Sequence, residues 1–220
     1  MTAPPGPIPL SHHRARIAQY LRVIAFPPGS VAARIIDERR PDQDSYDPVR
    51  PSLVLWSCAA GNGELEDALP VSAAFDLFDR FLMLHDELAG ESAPVVERWG
   101  LGQSLNAGDA LYAMAFRSLA NDAAHPGRRL RTARLVAEAV LGAIEVRDEI
   151  ARNTLLTRAA LQAGAVIAGL SEGAIVAFAK AGSLLETDPA AAVTTLHGFV
   201  ATEALADFDE VARYVARRAA

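Results

Sequence analysis

Apolar residues recur at helical spacing along most of the chain, and this periodicity restricts the possible folds more than any other feature of the sequence. In an early segment, Ile17, Tyr20 and Ile24 lie three or four residues apart, so they share one face of a helix. No alternating run long enough for a β-strand appears, and no internal repeat is visible. The pattern predicts an all-α protein.

Prolines, glycines and capping residues divide this pattern into separate helices. Gly61-Asn62-Gly63 ends one apolar segment, and Pro70 is expected to open the next, because proline fits the first turn of a helix. Gly169 ends a later segment, and Ser171 is expected to cap the helix that follows. The predicted helices span residues 11–25, 30–40, 52–60, 70–88, 95–120, 128–152, 154–168, 171–186, 190–204 and 207–218.

The N-terminus differs in composition from the remainder of the chain. Residues 1–10 contain four prolines and are predicted to be disordered, whereas residues 11–220 are predicted to form a single helical domain. The N-terminus has neither the basic nor the apolar region of a signal peptide. Cys58 is the only cysteine, which excludes an intrachain disulfide. We therefore expect a cytoplasmic protein.

Composition also argues against two classes of partner. The net charge of −6 provides no basic footprint for nucleic acid. The most apolar segment, residues 159–181, is interrupted by Gln162, Glu172 and Lys180, so it is expected to be a buried core helix and not a membrane span. Hydrophobic residues make up 51% of the chain, mainly Ala and Leu, and both favour packed helices.

Arg50 is the first candidate binding residue, in the segment 49–55 at the start of a predicted helix. Its guanidinium suits phosphate oxygens because it donates hydrogen bonds in parallel pairs. A plainer interpretation is that Arg50 only caps a surface helix.

A second candidate site lies where the helix containing Phe81 ends in His85-Asp86-Glu87. Two carboxylates four residues apart share a helix face and can bridge Mg²⁺ ions. Asp86 and Glu87 are adjacent instead, about 100° apart around a helix, so they are a weak metal site. Glu91 could add a ligand from the following loop, His85 could orient Asp86, and an ordinary polar helix end is the alternative.

A third stretch, residues 97–111, combines an aromatic residue with several small ones. Ala107 and Gly108 allow a neighbouring helix to approach closely, because neither has a bulky side chain. We interpret this stretch as a feature of the fold and not as a catalytic element.

In this order, the three stretches resemble the trans-prenyltransferase, or polyprenyl diphosphate synthase, family. Arg50 matches the arginine of a Gly-Lys-x-x-Arg-Pro segment, and Asp86 matches the first aspartate of a His-Asp-Asp-x-x-Asp motif. The resemblance implies an isoprenoid-synthase-like helical bundle. It implies that Arg50 and His85 contact a substrate diphosphate and that Asp86 and Glu87 contact Mg²⁺.

The third stretch resembles the family's Ala-Gly-Asp-x-Leu helix, which packs tightly. The resemblance implies that Asp109 is buried and paired. The positions that carry this structural signature are Trp99, Gly100, Gly108 and Asp109.

Several charged positions of the family are missing. Glu87 and Gly90 stand in place of the second and last aspartates, and Asn153 stands in place of a lysine. The segment 91–96 has no arginine, and the chain turns at 187–189 without a second aspartate-rich motif. Because neutralising the leaving pyrophosphate is the main catalytic requirement, autonomous chain elongation is not expected. The sequence therefore predicts a shortened, degenerate member, for which Mg²⁺ binding is possible but doubtful.

Three functions stay open at this point. The preferred one is a non-catalytic or regulatory subunit, as a homodimer or as a heterodimer with an intact prenyl diphosphate synthase. The second is a divergent Mg²⁺-dependent prenyltransferase or class I terpene cyclase acting on isoprenoid diphosphates. The third is an isoprenoid-binding protein without a synthase partner. The phenylalanines Phe75, Phe78, Phe81 and Phe116 would line a prenyl tunnel in the last two cases, but their helical spacing is more typical of core.

Overall fold

Eleven α-helices make up the computed structural model, which describes residues 8–24, 26, 29–38, 48–90, 93–120 and 125–219. No strand occurs in these ranges, so the all-α prediction is confirmed. The helices are α1 (Ile8–Val23), α2 (Val31–Glu38), α3 (Val49–Ala60), α4 (Leu65–Ala89), α5 (Pro94–Trp99), α6 (Leu101–Leu119), α7 (Pro126–Glu145), α8 (Glu149–Ala168), α9 (Glu172–Leu184), α10 (Pro189–Thr195) and α11 (Thr202–Ala219).

The centre of the bundle is α3, which packs against α4 on one side and α8 on the other. Residues 51–58 of this helix are all buried, because neighbouring helices cover it around its whole circumference. Trp56 lies between two aromatic partners: its ring stacks on Phe208 of α11 with 4.8 Å between centroids, and contacts Phe178 of α9 at 5.9 Å. One tryptophan therefore joins α3, α9 and α11.

The distance between α3 and α8 depends on a missing side chain at Gly164. A Cβ at this position would overlap Ser57 Oγ and the carbonyl oxygen of Val54, and would lie 2.9 Å from the backbone nitrogen of Cys58. The backbones of the two helices are therefore too close for any residue except glycine at this crossing.

An aromatic cluster joins α4 to α6. Phe78 is fully buried and meets Tyr112 and Phe116 edge-on, at 5.6 and 5.4 Å between ring centroids. Phe81 extends the cluster towards Tyr112 at 5.3 Å, and Phe75 is also fully buried. The four phenylalanines of the sequence pattern are thus packed in or against the core.

An open cleft with a volume of about 610 Å³ lies at the end of the bundle where α3 finishes. Its wall combines Trp56 and Phe199 with the polar side chains of His12, Glu203 and Asp207. None of the four phenylalanines lines it. This cleft lies between α1, α3 and the segment that links α10 to α11.

Some helix boundaries differ from the sequence prediction. The predicted helix 190–204 ends at Thr195, and two other differences lie at prolines. The first helix begins at Ile8 instead of Ser11, with Pro9 in its first turn, where no intrahelical acceptor is available for an N–H group. Pro70 does not open α4 but lies inside it, near its start. Only one hydrogen bond, to the carbonyl of Glu66, is lost there, so the helix continues.

Two predicted helices are divided differently. The predicted segment 95–120 is broken at Gly100, whose φ of 79° separates α5 from α6. The predicted break near Asn153 lies earlier, at 146–148, because the Asp148 side chain accepts a hydrogen bond from Ala151 N and caps α8. Gly169, with a φ of 76°, and Ser171 end α8 and cap α9 as predicted.

Some expectations fall on parts of the chain that the structure does not describe. These are residues 1–7 of the predicted disordered N-terminus, most of the loop before Pro48, and Glu91. Within the described ranges, no helix is both long enough and apolar enough to cross a membrane.

Gly164→Ala should destabilise the protein by about 1–3 kcal/mol, because the added methyl group must push α3 away from α8. Gly173→Ala is the matched control: it lies in the first turn of α9, and its added Cβ would meet nothing within 4 Å. The control should be neutral or slightly stabilising, by about 0.5 kcal/mol. Urea unfolding followed by circular dichroism measures both, and equal effects at the two positions would contradict the close crossing.

Candidate functional site

Charged side chains collect at one end of the bundle, where α3 and α8 begin and α4 and α9 end. This end is opposite to the open cleft, because α3 enters the core from here and leaves it at the cleft. Several of these side chains are half-buried, which strengthens interactions among them. The polar cluster, as we name it, consists of Arg50, Asp79, Asp86, Arg152, Asn153 and Glu186.

Arg50 joins three helices. Its Nη1 donates to Asp79 Oδ1 on α4 at 3.0 Å, and its Nη2 donates to Asn153 Oδ1 on α8 at 3.3 Å. The side chains of Arg50 and Asp79 are 22% and 26% exposed, so the pair is only partly screened by water. Arg50 is therefore more than a surface cap: it holds the start of α3 against both neighbours.

Two carboxyl groups near Arg50 are poorly solvated. Burial raises the pKa of Asp79 to about 6, an effect that Arg50 opposes and Asp76 reinforces. Burial also raises the pKa of Glu186, with Arg50 opposing the shift and Glu149 adding to it. Glu186 Oε2 is buried without a hydrogen-bond partner. One guanidinium therefore lies close to more negative charge than it can fully compensate.

Asp86 forms an ion pair with Arg152. Arg152 Nη1 donates to Asp86 Oδ2 at 2.5 Å, which links the end of α4 to the first turn of α8. The Arg152 side chain is 19% exposed and that of Asp86 is 59% exposed. The arginine is thus held by the fold, and the carboxylate reaches it from the surface.

Glu87 and His85 point away from Asp86. Glu87 Oε1 accepts a hydrogen bond from the backbone N–H of Val95, at the start of α5, at 3.1 Å.

The His85 ring packs on Phe81, with 4.4 Å between centroids, and its Nε2 is buried without a partner. A Cβ on Gly108 would lie 2.5 Å from this nitrogen. The structure therefore directs His85 against α6, not towards the polar cluster where it was expected to contact a diphosphate.

These contacts decide whether the residues fit a Mg²⁺ ion. Mg²⁺ requires several oxygen ligands in nearly octahedral geometry. Among the described residues, no three His, Cys, Asp or Glu side chains are grouped so that they could hold a metal. Asp86 is paired with a cation, and Glu87 is bonded to α5. This donor set does not fit Mg²⁺.

The segment after α9 uses its carboxylate for helix capping. Asp188 Oδ1 accepts a hydrogen bond from Ala191 N at 3.0 Å, and Pro189 occupies the first position of α10. Such a cap satisfies a backbone donor that has no partner within the helix. Asp188 therefore serves the local fold, at the turn where the sequence contains no second aspartate-rich motif.

The structural signature residues are found in different environments. Trp99 Nε1 donates to Glu38 at 3.1 Å, and Arg34 lies over its ring at 5.1 Å from the centroid.

Gly108 is buried against α4, as expected. Asp109, expected to be buried, is exposed. The α4 side of α6 is taken by positions such as Ala107, and Asp109 lies about 200° around the helix from it.

The sequence prediction missed Asp79, Arg152 and Glu186 as members of the polar cluster. A signal existed for Asp79, which precedes Asp86 by seven residues and so shares its face of α4. No comparable signal existed for Arg152, because its partner lies on a different helix.

Two curated relatives share sequence with parts of the chain. Geranylgeranyl diphosphate synthase of Mycobacterium tuberculosis is 42% identical over 76 residues, which cover 32% of this chain and 22% of that protein. (2E,6E)-farnesyl diphosphate synthase of the same species is 30% identical over 143 residues, which cover 59% of this chain and 40% of that protein. The chain thus spans well under half the length of these relatives. No family model matches it.

Solved structures share the fold over nearly the whole chain. A geranyltransferase from Legionella pneumophila superposes with a TM-score of 0.75 at 14% identity and covers 96% of both chains. A mint deletion mutant of heterotetrameric geranyl pyrophosphate synthase superposes with a TM-score of 0.72 at 17% identity, covering 92% of this chain and 98% of that one. Named prenyl diphosphate synthases are therefore similar to parts of this chain in sequence and to nearly all of it in fold, which supports the resemblance to the trans-prenyltransferase family.

Proposed function

We propose that this chain is a non-catalytic or regulatory subunit that pairs with a competent prenyl diphosphate synthase. The observation that carries the proposal is the Asp86–Arg152 ion pair, which occupies the carboxylate matched to the family's metal-binding motif. A carboxylate already neutralised by a fixed guanidinium is a poor ligand for a metal ion. The cation that neutralises Asp86 therefore comes from the protein itself.

The remaining charges support the same conclusion. Ionising an allylic diphosphate requires cations that stabilise the leaving pyrophosphate, usually metal ions together with Arg and Lys. In this chain, Arg50 donates to Asp79 and Asn153, and Arg152 donates to Asp86. Both arginines of the polar cluster thus donate hydrogen bonds to other side chains of the protein. In a catalyst, the same donors would contact the substrate.

The packed aromatic cluster argues against a prenyl-binding role. Phe75 and Phe78 are fully buried, and Phe78 contacts Tyr112 and Phe116 directly. A prenyl chain between α4 and α6 would have to displace these rings. This weakens both the divergent-enzyme and the isoprenoid-carrier alternatives.

One flank of α6, beside the side that packs on α4, supports a role as a partner. Leu101, Leu105 and Tyr112 lie along this flank, and their exposed fractions are 55%, 39% and 38%. Exposed apolar side chains that line up in this way are typical of protein–protein contacts. Heteromeric assembly also occurs in a similar protein, the heterotetrameric geranyl pyrophosphate synthase. We propose that α6 contributes to the contact with the competent subunit.

The purified chain should release no pyrophosphate from isopentenyl diphosphate and an allylic diphosphate in the presence of Mg²⁺, because its cations are committed internally. Added to an intact prenyl diphosphate synthase of its own organism, it should change the product chain length or the rate. Radiolabelled substrates and chromatography of the products measure both. If the chain alone turns over these substrates and the Asp86→Ala variant does not, the proposal is wrong.

Leu101→Glu should abolish the effect on the intact synthase, because it places a charge in the proposed contact. Val176→Glu is the matched control, since Val176 is 62% exposed on α9, away from α6. The same product assay, together with co-purification, measures both variants. Equal behaviour of the two would exclude α6 as the contact.

Asp79→Asn should remove part of the pH dependence of stability. The pKa of Asp79 is about 6 in the folded protein against 3.8 ordinarily, so between these values the folded state binds a proton that the unfolded state has lost. Wild-type stability should therefore fall as the pH rises from about 4 to about 6, by on the order of 2 kcal/mol from this group. Thermal melts across this pH range measure the change.

In the Asp79→Asn variant that fall should be reduced, while the side-chain oxygen can still accept from Arg50. Asp209→Asn, at an exposed pair with Arg213 on α11, is the control and should leave the pH profile unchanged. An unchanged profile in Asp79→Asn would show that this carboxyl is normally solvated.

A further inference from the structure

We propose that Arg152 is a built-in cation that takes the place of a divalent metal ion at Asp86. The proposal deepens the non-catalytic role proposed above and rests on it. It adds a second reason for the poor fit to Mg²⁺, besides the lack of three grouped ligands in the described residues: the carboxylate matched to the first motif aspartate already has a cation from the protein as its partner.

The position of Arg152 is fixed by the fold. Its backbone lies in the first turn of α8, where its N–H donates to the carbonyl of Asp148. Its side chain is only 19% exposed, and its Nε is buried without a hydrogen-bond partner. This placement brings Nη1 within hydrogen-bonding distance of Asp86, so the fold itself supplies the cation.

Arg152 also lies at the wrong end of a helix for a cation. The positive end of the helix dipole favours carboxylates in the first turn and disfavours arginine. The ion pair with Asp86 on α4 offsets this unfavourable placement. Glu149 in the same turn is exposed and adds to the local negative charge.

A divalent ion that approached Asp86 would meet this charge directly. The repulsion acts at a few ångströms, at a carboxylate whose side chain is 59% exposed and therefore partly screened by water. Arginine side chains are not deprotonated in proteins, so the charge beside Asp86 is permanent. Arg152 and a metal ion are thus mutually exclusive at Asp86.

The test measures binding of Mn²⁺ to the full-length chain from the loss of the free-ion signal in electron paramagnetic resonance. Arg152→Gln should bind Mn²⁺ at least about tenfold more tightly than the wild type. The double variant Arg152→Gln/Asp86→Asn should return to the wild-type level. Arg152→Lys keeps the charge and should also bind as weakly as the wild type.

Arg158→Gln is the matched control, since it removes the same charge from an exposed position further along α8. It should leave Mn²⁺ binding unchanged, which separates a local effect from a change in net charge. Thermal melts of every variant show that it is folded before binding is measured.

Two results would overturn the proposal. Wild-type binding as tight as that of Arg152→Gln, lost in Asp86→Asn, would mean that Asp86 holds a metal beside the arginine. Absence of binding in folded Arg152→Gln would mean that Asp86 cannot hold a metal even when freed. Neither result depends on turnover, so catalysis in the product assay would reject the subunit role without deciding this question.

Discussion

The close crossing of α3 and α8 is the constraint on which the rest of the structure depends. Glycine at position 164 allows the two backbones to meet at Ser57, and α1, α4, α7 and α9 pack against this pair. The same crossing brings the start of α8 beside the start of α3, which places Asn153 within reach of Arg50. A packing feature deep in the core thus determines the geometry of the charged groups at the surface.

Both arginines of the polar cluster already have carboxylate partners in the fold, and this distinguishes the cluster from a ligand site. A site that binds a diphosphate keeps its positive charges available and relies on the ligand to compensate them. Here Arg50 is compensated by Asp79, and Arg152 by Asp86. Each pair links separate helices, so the charges stabilise the relative positions of the helices. The fold of the family is retained, while the function of its charged end is, in our proposal, replaced by a structural one.

The helices could be predicted from the sequence, whereas the interaction partners of the charged residues could not. Helical periodicity and the breaks at Gly61, Gly169 and Ser171 are local properties, and they were predicted correctly. The prediction that α4 begins at Pro70 was wrong, because one missing hydrogen bond near the start of a helix does not end the helix. Arg50 and Asp86 were identified, but their partners lie on other helices, at distances in sequence that no local pattern encodes. The exposure of Asp109 likewise depends on which side of α6 faces α4.

The two ends of the bundle differ in how their helices are joined, and this affects how the protein opens locally. At the end with the polar cluster, side-chain hydrogen bonds tie α3 and α4 to α8. At the other end, α11 is joined to α3 mainly through the stacked rings of Trp56 and Phe208, beside the open cleft. Sub-global unfolding begins where few buried contacts must be broken. We therefore expect the amide hydrogens of α10 and α11 to exchange with solvent before those of α3 and α8, with local opening starting at the cleft end of the bundle.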